Sequence, residues 1–140
     1  MFVVSAQAHY DAAHFLRNYP GKCRHLHGHR YVVEAAVAAE ELNEAGIAFD
    51  FVDLKRELRE LADALDHTCL NDLPQFQGVE TSAENQARYF FEELQKRLPP
   101  ELAQGLRYCR IWETPTNWAM YGPAAHLAPA ARTPTLAEGG

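Results

Sequence analysis

The chain has 140 residues, with 13 Lys and Arg against 19 Asp and Glu and a formal net charge of −6. That length fits one domain able to bury a core without a disulfide or metal, and the acidic balance excludes a phosphate-gripping surface, so nucleic acid is not an expected partner. The three cysteines, Cys23, Cys69 and Cys109, are an odd number with no CxxC among them, a pattern that suggests neither a disulfide framework nor a four-cysteine zinc site. No leader-like start and no apolar run near the roughly 20 residues of a membrane span are present, so the expectation is a soluble, cytoplasmic protein without a membrane partner.

Residues 2–14 alternate, with Phe2, Val4, Ala6, Ala8, Tyr10, Ala12 and His14 on one parity and Ser5, Gln7, His9 and Asp11 on the other. This is the period of a half-buried strand. The segment KCRHLHGHRY, residues 22–31, then gathers one cysteine and three histidines, after a turn signalled by Pro20 and Gly21. Residues 27–39 alternate again, with His27, His29, Tyr31, Val33, Ala35 and Val37 sharing a parity. If the two strands pair antiparallel, His14, His27 and His29 converge at one end of one face.

Leu54, Leu58, Leu61, Ala62 and Leu65 recur at helical spacing and predict a helix over residues 53–65, capped by Asp53. Thr81 and Glu84 have capping-box spacing and open a second helix carrying Ala87, Phe90, Phe91, Leu94 and Leu98, which Pro99 and Pro100 stop. Residues 106–114 and 117–121 read as two more strands. The tail, residues 123–140, is rich in Ala and Pro and is expected to be poorly ordered. The order ββααββ predicts one α+β domain over residues 1–122, a four-stranded antiparallel sheet with two helices on one face.

Three neutral imidazoles closing on one point are a common catalytic zinc arrangement, because they leave the metal doubly positive with a fourth position open. A lone histidine is more often a surface or satisfied core residue, and His9 and His126 are read that way. His25 shares the parity of His27 and His29 but lies nearer the turn and ranks below them. Cys23 has three readings: a fourth zinc ligand, a thiolate base or nucleophile, or an inert small hydrophobe. Its place in a turn between Lys22 and Arg24 weighs against the last. Asp66 and His67 sit at a helix end, and Glu84 and Glu113 are either local polar groups or grips for ligand donors.

AAH at 12–14, KC and LHGHRY within 22–31, DF and DLK within 50–55, LDH and LND within 65–72, TSAEN at 81–85 and WET at 112–114 together resemble the 6-pyruvoyltetrahydropterin and 6-carboxytetrahydropterin synthase family. The resemblance covers about residues 2–122. It implies a tunnelling fold (T-fold), assembled as trimers or hexamers of identical chains with active sites between subunits, and a small pterin substrate. By likeness His14, His27 and His29 bind Zn2+, Cys23 is the general base, and Asp66 with His67, donated by a neighbouring subunit, completes a proton relay. Glu113 matches the family's relay glutamate, and Glu84 its pterin-anchoring acid with Ser82 just before. Ala83 stands where the family often carries a second hydroxyl residue. The implied activity is a zinc-dependent lyase, a 6-carboxytetrahydropterin synthase of the queuosine route, with the 6-pyruvoyl enzyme as alternative; a pterin- or zinc-binding module without turnover and a structural zinc site are the rivals from other classes.

Overall fold

The computed structural model of the chain describes residues 1–127. Strands β1 (Phe2–His14) and β2 (His27–Ala39) pair antiparallel without a register shift, from Phe2 opposite Ala39 to His14 opposite His27. Ala6, Tyr10, Ala12 and His14 point into the core, while Ser5, Gln7 and His9 are exposed. Glu34 breaks the alternation of β2: it is buried on the opposite face, where Arg110 Nη2 donates to its carboxylate at 2.6 Å. A charge taken out of water needs such a partner. The Arg110 guanidinium in turn lies over the rings of Trp112 and Trp118.

Helix α1 (Phe51–Leu65) buries the expected leucine face. Its cap is Asp50 rather than Asp53: the Asp50 carboxylate accepts from Val52 N at 2.9 Å, whereas Asp53 lies in the first turn and pairs with Arg56. The chain is still extended at Asp50, and a cap must stand where extended backbone gives way to helix. After α1, His67 takes a left-handed conformation, φ 57°, with its N–H donating to Asp11 O at 2.6 Å. This bend delivers β3 (Thr68–Cys69), which runs parallel to β1 at Ala12 and Ala13.

Helix α2 (Ala83–Arg97) starts from Ser82, whose hydroxyl accepts from Asn85 N at 3.2 Å. The predicted Thr81–Glu84 box is not used, because Thr81 is wholly buried and bonded elsewhere. Pro99 and Pro100 end α2 as expected, but they also open a short α3 (Pro100–Gly105), where the missing proline N–H costs nothing in a first turn. β4 (Leu106–Thr114) and β5 (Asn117–Tyr121) form a hairpin beside β2. A register shift opposite Ala36 and Val37 turns Leu106 into the core against its simple parity. Among the described residues the sheet therefore has five strands in the order β3-β1-β2-β4-β5, one short strand more than predicted.

α1 packs on β1, and α2 on β4 and β5, over a core of Leu54, Leu58, Phe90, Leu94, Tyr10, Tyr31 and Ile111. The expected α+β layering is present. Of the tail, Ala124–Leu127 form a single helical turn, α4; the rest of the segment expected to be poorly ordered, residues 128–140, lies outside the described residues. Among the described residues no helix is long and apolar enough to cross a membrane.

The cap assignment has a direct check in urea unfolding. Asp50→Ala should cost about 1 kcal/mol, and Asp53→Ala distinctly less, since it loses only an exposed ion pair to Arg56.

Candidate active site

The β1–β2 register places His14, His27 and His29 on one face at the end of the pair, with ring centroids 4.6 to 5.5 Å apart. Their ligand atoms all lie within 4.8 Å of one another. His14 Nδ1 donates to the Thr81 carbonyl at 2.7 Å, and His27 Nδ1 to the His25 carbonyl at 2.7 Å. A carbonyl only accepts, so each Nδ1 carries the proton and each Nε2 keeps a lone pair. His14 is 1% exposed, and its Nε2 is buried without a hydrogen-bond partner among the described residues.

Burial is the main cause that lowers the His14 pKa from 6.5 to about 4; the Thr81 carbonyl opposes the shift, and the imidazoles of His27 and His29 add to it. Burial also lowers the His29 pKa, against the pull of the Glu113 carboxylate and with the help of His27. At neutral pH both rings are neutral, the form that ligates a metal. An orphaned buried nitrogen among converging neutral donors fits a metal ion, and three imidazoles with no carboxylate among them suit zinc or a similar borderline ion.

A polar layer stands behind His14. Asn71 brackets the Phe15 backbone, accepting from its N–H and donating to its carbonyl, both at 3.0 Å, and its Oδ1 accepts from Thr81 Oγ1 at 3.2 Å. Neither role is visible in the sequence: Thr81 has the spacing of a helix cap, and Asn71 is an ordinary loop residue until the fold brings it to Phe15.

Cys23 is half-buried in a helical turn (Lys22–Arg24), and its carbonyl accepts from Leu16 N at 2.7 Å, stitching the connection back to the end of β1. It stands outside the three-residue group able to hold a metal. The Glu113 carboxylate acts on the Tyr31 and Tyr10 hydroxyls and on His29. Glu113 is thus close enough to His29 for its charge to be felt there. His25 is exposed and contributes only its carbonyl.

Asp66 and His67 lie elsewhere. Asp66 Oδ1 accepts from Asp11 N at 2.7 Å, and His67 Nδ1 pairs with Asp66 Oδ2 at 2.7 Å. The Asp11 N–H lowers the Asp66 pKa, with His67 assisting. Together with Gln7, His9, Arg30 and Arg59 they line a cleft of about 310 Å³. None of their hydrogen bonds among the described residues reaches the histidines. Ser82 is occupied as the α2 cap, and Glu84 is exposed beside it, free of any capping bond.

Sheet, helix layer and histidine group define a tunnelling-fold protein with a three-histidine site able to hold a metal. Residues 3–124 match the 6-pyruvoyl tetrahydropterin synthase family. The chain is 35% identical over 127 residues to a 6-carboxy-5,6,7,8-tetrahydropterin synthase of Synechocystis, covering 86% of this chain and 93% of that one. It is 34% identical over 103 residues to a 6-pyruvoyl tetrahydrobiopterin synthase of Dictyostelium discoideum, covering 72% and 73%. The solved Caenorhabditis elegans 6-pyruvoyl tetrahydropterin synthase superposes with a TM-score of 0.78 at 28% identity, covering 86% and 94%. The chain belongs to the 6-pyruvoyl tetrahydropterin synthase family.

The depressed His14 sets a pH dependence for the metal-free fold. Its folded pKa lies below the unfolded value of 6.5, so its contribution is fully present above about pH 6.5 and is lost as pH falls towards about 4, where the unfolded chain has already taken up the proton. Urea unfolding of chelator-treated protein between pH 7 and pH 4.5 should show that decline, and a shallower one in His14→Gln.

Proposed function

We propose that the chain is a zinc-dependent 6-carboxy-5,6,7,8-tetrahydropterin synthase, which converts 7,8-dihydroneopterin triphosphate and water to the 6-carboxy product with release of acetaldehyde and triphosphate, on the route to queuosine and related deazapurines. The observation that carries the reading is the buried, unpartnered Nε2 of His14 facing His27 and His29. Relatives of Synechocystis, Haemophilus influenzae and Bacillus subtilis bearing that name support the choice of product.

Zinc on the three imidazoles would supply a Lewis acid for the vicinal hydroxyls of the substrate side chain and for the carbonyl that develops there. The work of the chain's own residues is positional and protonic. Cys23, half-buried in the turn that leads into β2, is assigned the role of general base, its thiolate moving protons on the carbons between ring and side chain. Glu113, on the core face at the end of β4, is assigned to the relay near the ring. Glu84, free of the helix cap, is assigned the paired N–H donors of the pterin edge, which a carboxylate accepts with both oxygens, with Ser82 beside it. By the family likeness, Asp66 and His67 complete the relay from a neighbouring copy, and the reading includes a trimer or hexamer of identical chains.

The 6-pyruvoyl reaction, which eliminates triphosphate and keeps the three-carbon side chain, is the second reading, favoured by relatives so named in Dictyostelium discoideum and Homo sapiens. Incubation of zinc-loaded protein with 7,8-dihydroneopterin triphosphate separates the two: the 6-carboxy product with acetaldehyde is expected, and a 6-pyruvoyl product without acetaldehyde would overturn the choice. Cys23→Ala should lower turnover by about 10²- to 10⁴-fold while zinc content and assembly stay unchanged; loss of zinc would make Cys23 a ligand instead. Removing zinc with a chelator should abolish turnover and leave the far-UV circular dichroism spectrum, whereas a purely structural zinc would take the fold with it.

A further inference from the structure

Gln86 is a polar residue on the buried side of α2, where its neighbours are Ala83, Ala87 and Phe90. It is 0% exposed. Packing alone asks for an apolar side chain there, and an amide buried without partners costs about 1 to 3 kcal/mol. Both ends of this amide are used. Tyr10 OH donates to Gln86 Oε1 at 2.5 Å, and Gln86 Nε2 donates to the Thr81 carbonyl at 3.0 Å.

The directions follow from chemistry. The Thr81 carbonyl can only accept, so the NH₂ end of Gln86 must face it, and the Tyr10 phenol must then donate to the oxygen end. That carbonyl is the same one that accepts from His14 Nδ1 at 2.7 Å. Its two lone pairs are thus taken by two donors, one from α2 and one from the histidine.

We propose that Gln86 is a positioning residue for His14: by holding the Thr81 carbonyl through its second lone pair, it fixes the tautomer and ring orientation that keep His14 Nε2 free for a metal. The inference rests on the metal reading given above. Thr81 precedes the first turn of α2 and belongs to no strand ladder, so its carbonyl has no sheet partner to orient it. Gln86 supplies that restraint, and its backbone N–H also donates to Ser82 O at 2.9 Å, tying it to the helix start. Tyr10 completes the path: it lies on β1 with the same parity as His14, is 0% exposed, and stacks on Tyr31 at 5.1 Å. The path starts and ends on one strand, so movement of the α2 start relative to β1 would be transmitted to the ligand ring. Outer partners of this kind orient a metal-binding histidine and raise its basicity as a ligand.

The test uses zinc alone as probe, titrated against a chromophoric chelator, together with the His14 tautomer read from long-range proton–nitrogen NMR correlations of metal-free protein. Wild type should show a single Nδ1–H tautomer. Gln86→Leu should show both tautomers and a zinc Kd weaker by about 10- to 100-fold. Tyr10→Phe, which removes only the far donor, should move both readouts in the same direction by less, and it carries the test if Gln86→Leu does not fold. Wild-type tautomer and wild-type zinc Kd in the folded variants, with only a lowered metal-free Tm, would make Gln86 a packing residue and overturn the proposal. Failure of the wild-type chain to bind zinc would instead overturn the metal reading, and the tautomer would still decide the role of Gln86.

Discussion

The antiparallel register of β1 on β2 carries the rest of the structure. Thirteen successive residues pair from Phe2 opposite Ala39 to His14 opposite His27 with no bulge between them. Because side chains alternate along a strand, a slip of one residue would turn every side chain of β1 to the other face. It would expose Tyr10 and Ala12, bury Asp11 and Gln7, and carry His14 away from His27 and His29. The apolar face that packs against α1 and α2 and the polar group at its end are therefore selected by the same pairing. Core stability and ligand geometry cannot be changed independently here.

The histidine group gains its chemical character from that connection to the core. Burial makes an imidazolium costly, so His14 and His29 stay neutral; neutral rings are what a cation requires, and the same desolvation leaves a lone pair with nothing to bind. Around this apolar-sided group the polar layer is small and fully directed: Thr81 and Asn71 fix the end of β1, and Gln86, itself held by the Tyr10 hydroxyl, donates to the Thr81 carbonyl from within the core. The opposite side of the sheet handles charge differently, pairing Glu34 with Arg110 and covering the cation with indole rings.

Much of this was legible from alternation, since parity in a half-buried strand is imposed by burial; β1 keeps it throughout, and β2 keeps it up to Val33, before the buried Glu34. The demotion of His25 followed from its nearness to the turn, and it proves exposed. Cap positions were not legible: Asp50 and Asp53, or Thr81 and Ser82, are all competent cap residues, and the choice depends on where tertiary contacts bend the chain. Thr81 is drawn inward by His14 and Asn71, which hands the cap to Ser82. β3 is two residues long and exists only because β1 offers an unpaired stretch, so no local pattern announces it. The role of Gln86 was hidden for a related reason, as a lone amide in a helix heptad reads as surface until its neighbours are seen to be core.

Asp66 and His67 are held by the backbone of Asp11, on the side of β1 away from β2, while the three histidines face the helices. No rotamer change within one chain carries a residue from a strand's outer edge to the covered face of the same sheet. If the dyad and the histidines act on one molecule, the reacting unit is a pair of chains, and the rate law contains the association equilibrium. Specific activity would then be constant at high protein concentration and fall on dilution below the dissociation constant, while two chains each lacking a different half of the machinery would regain function when mixed.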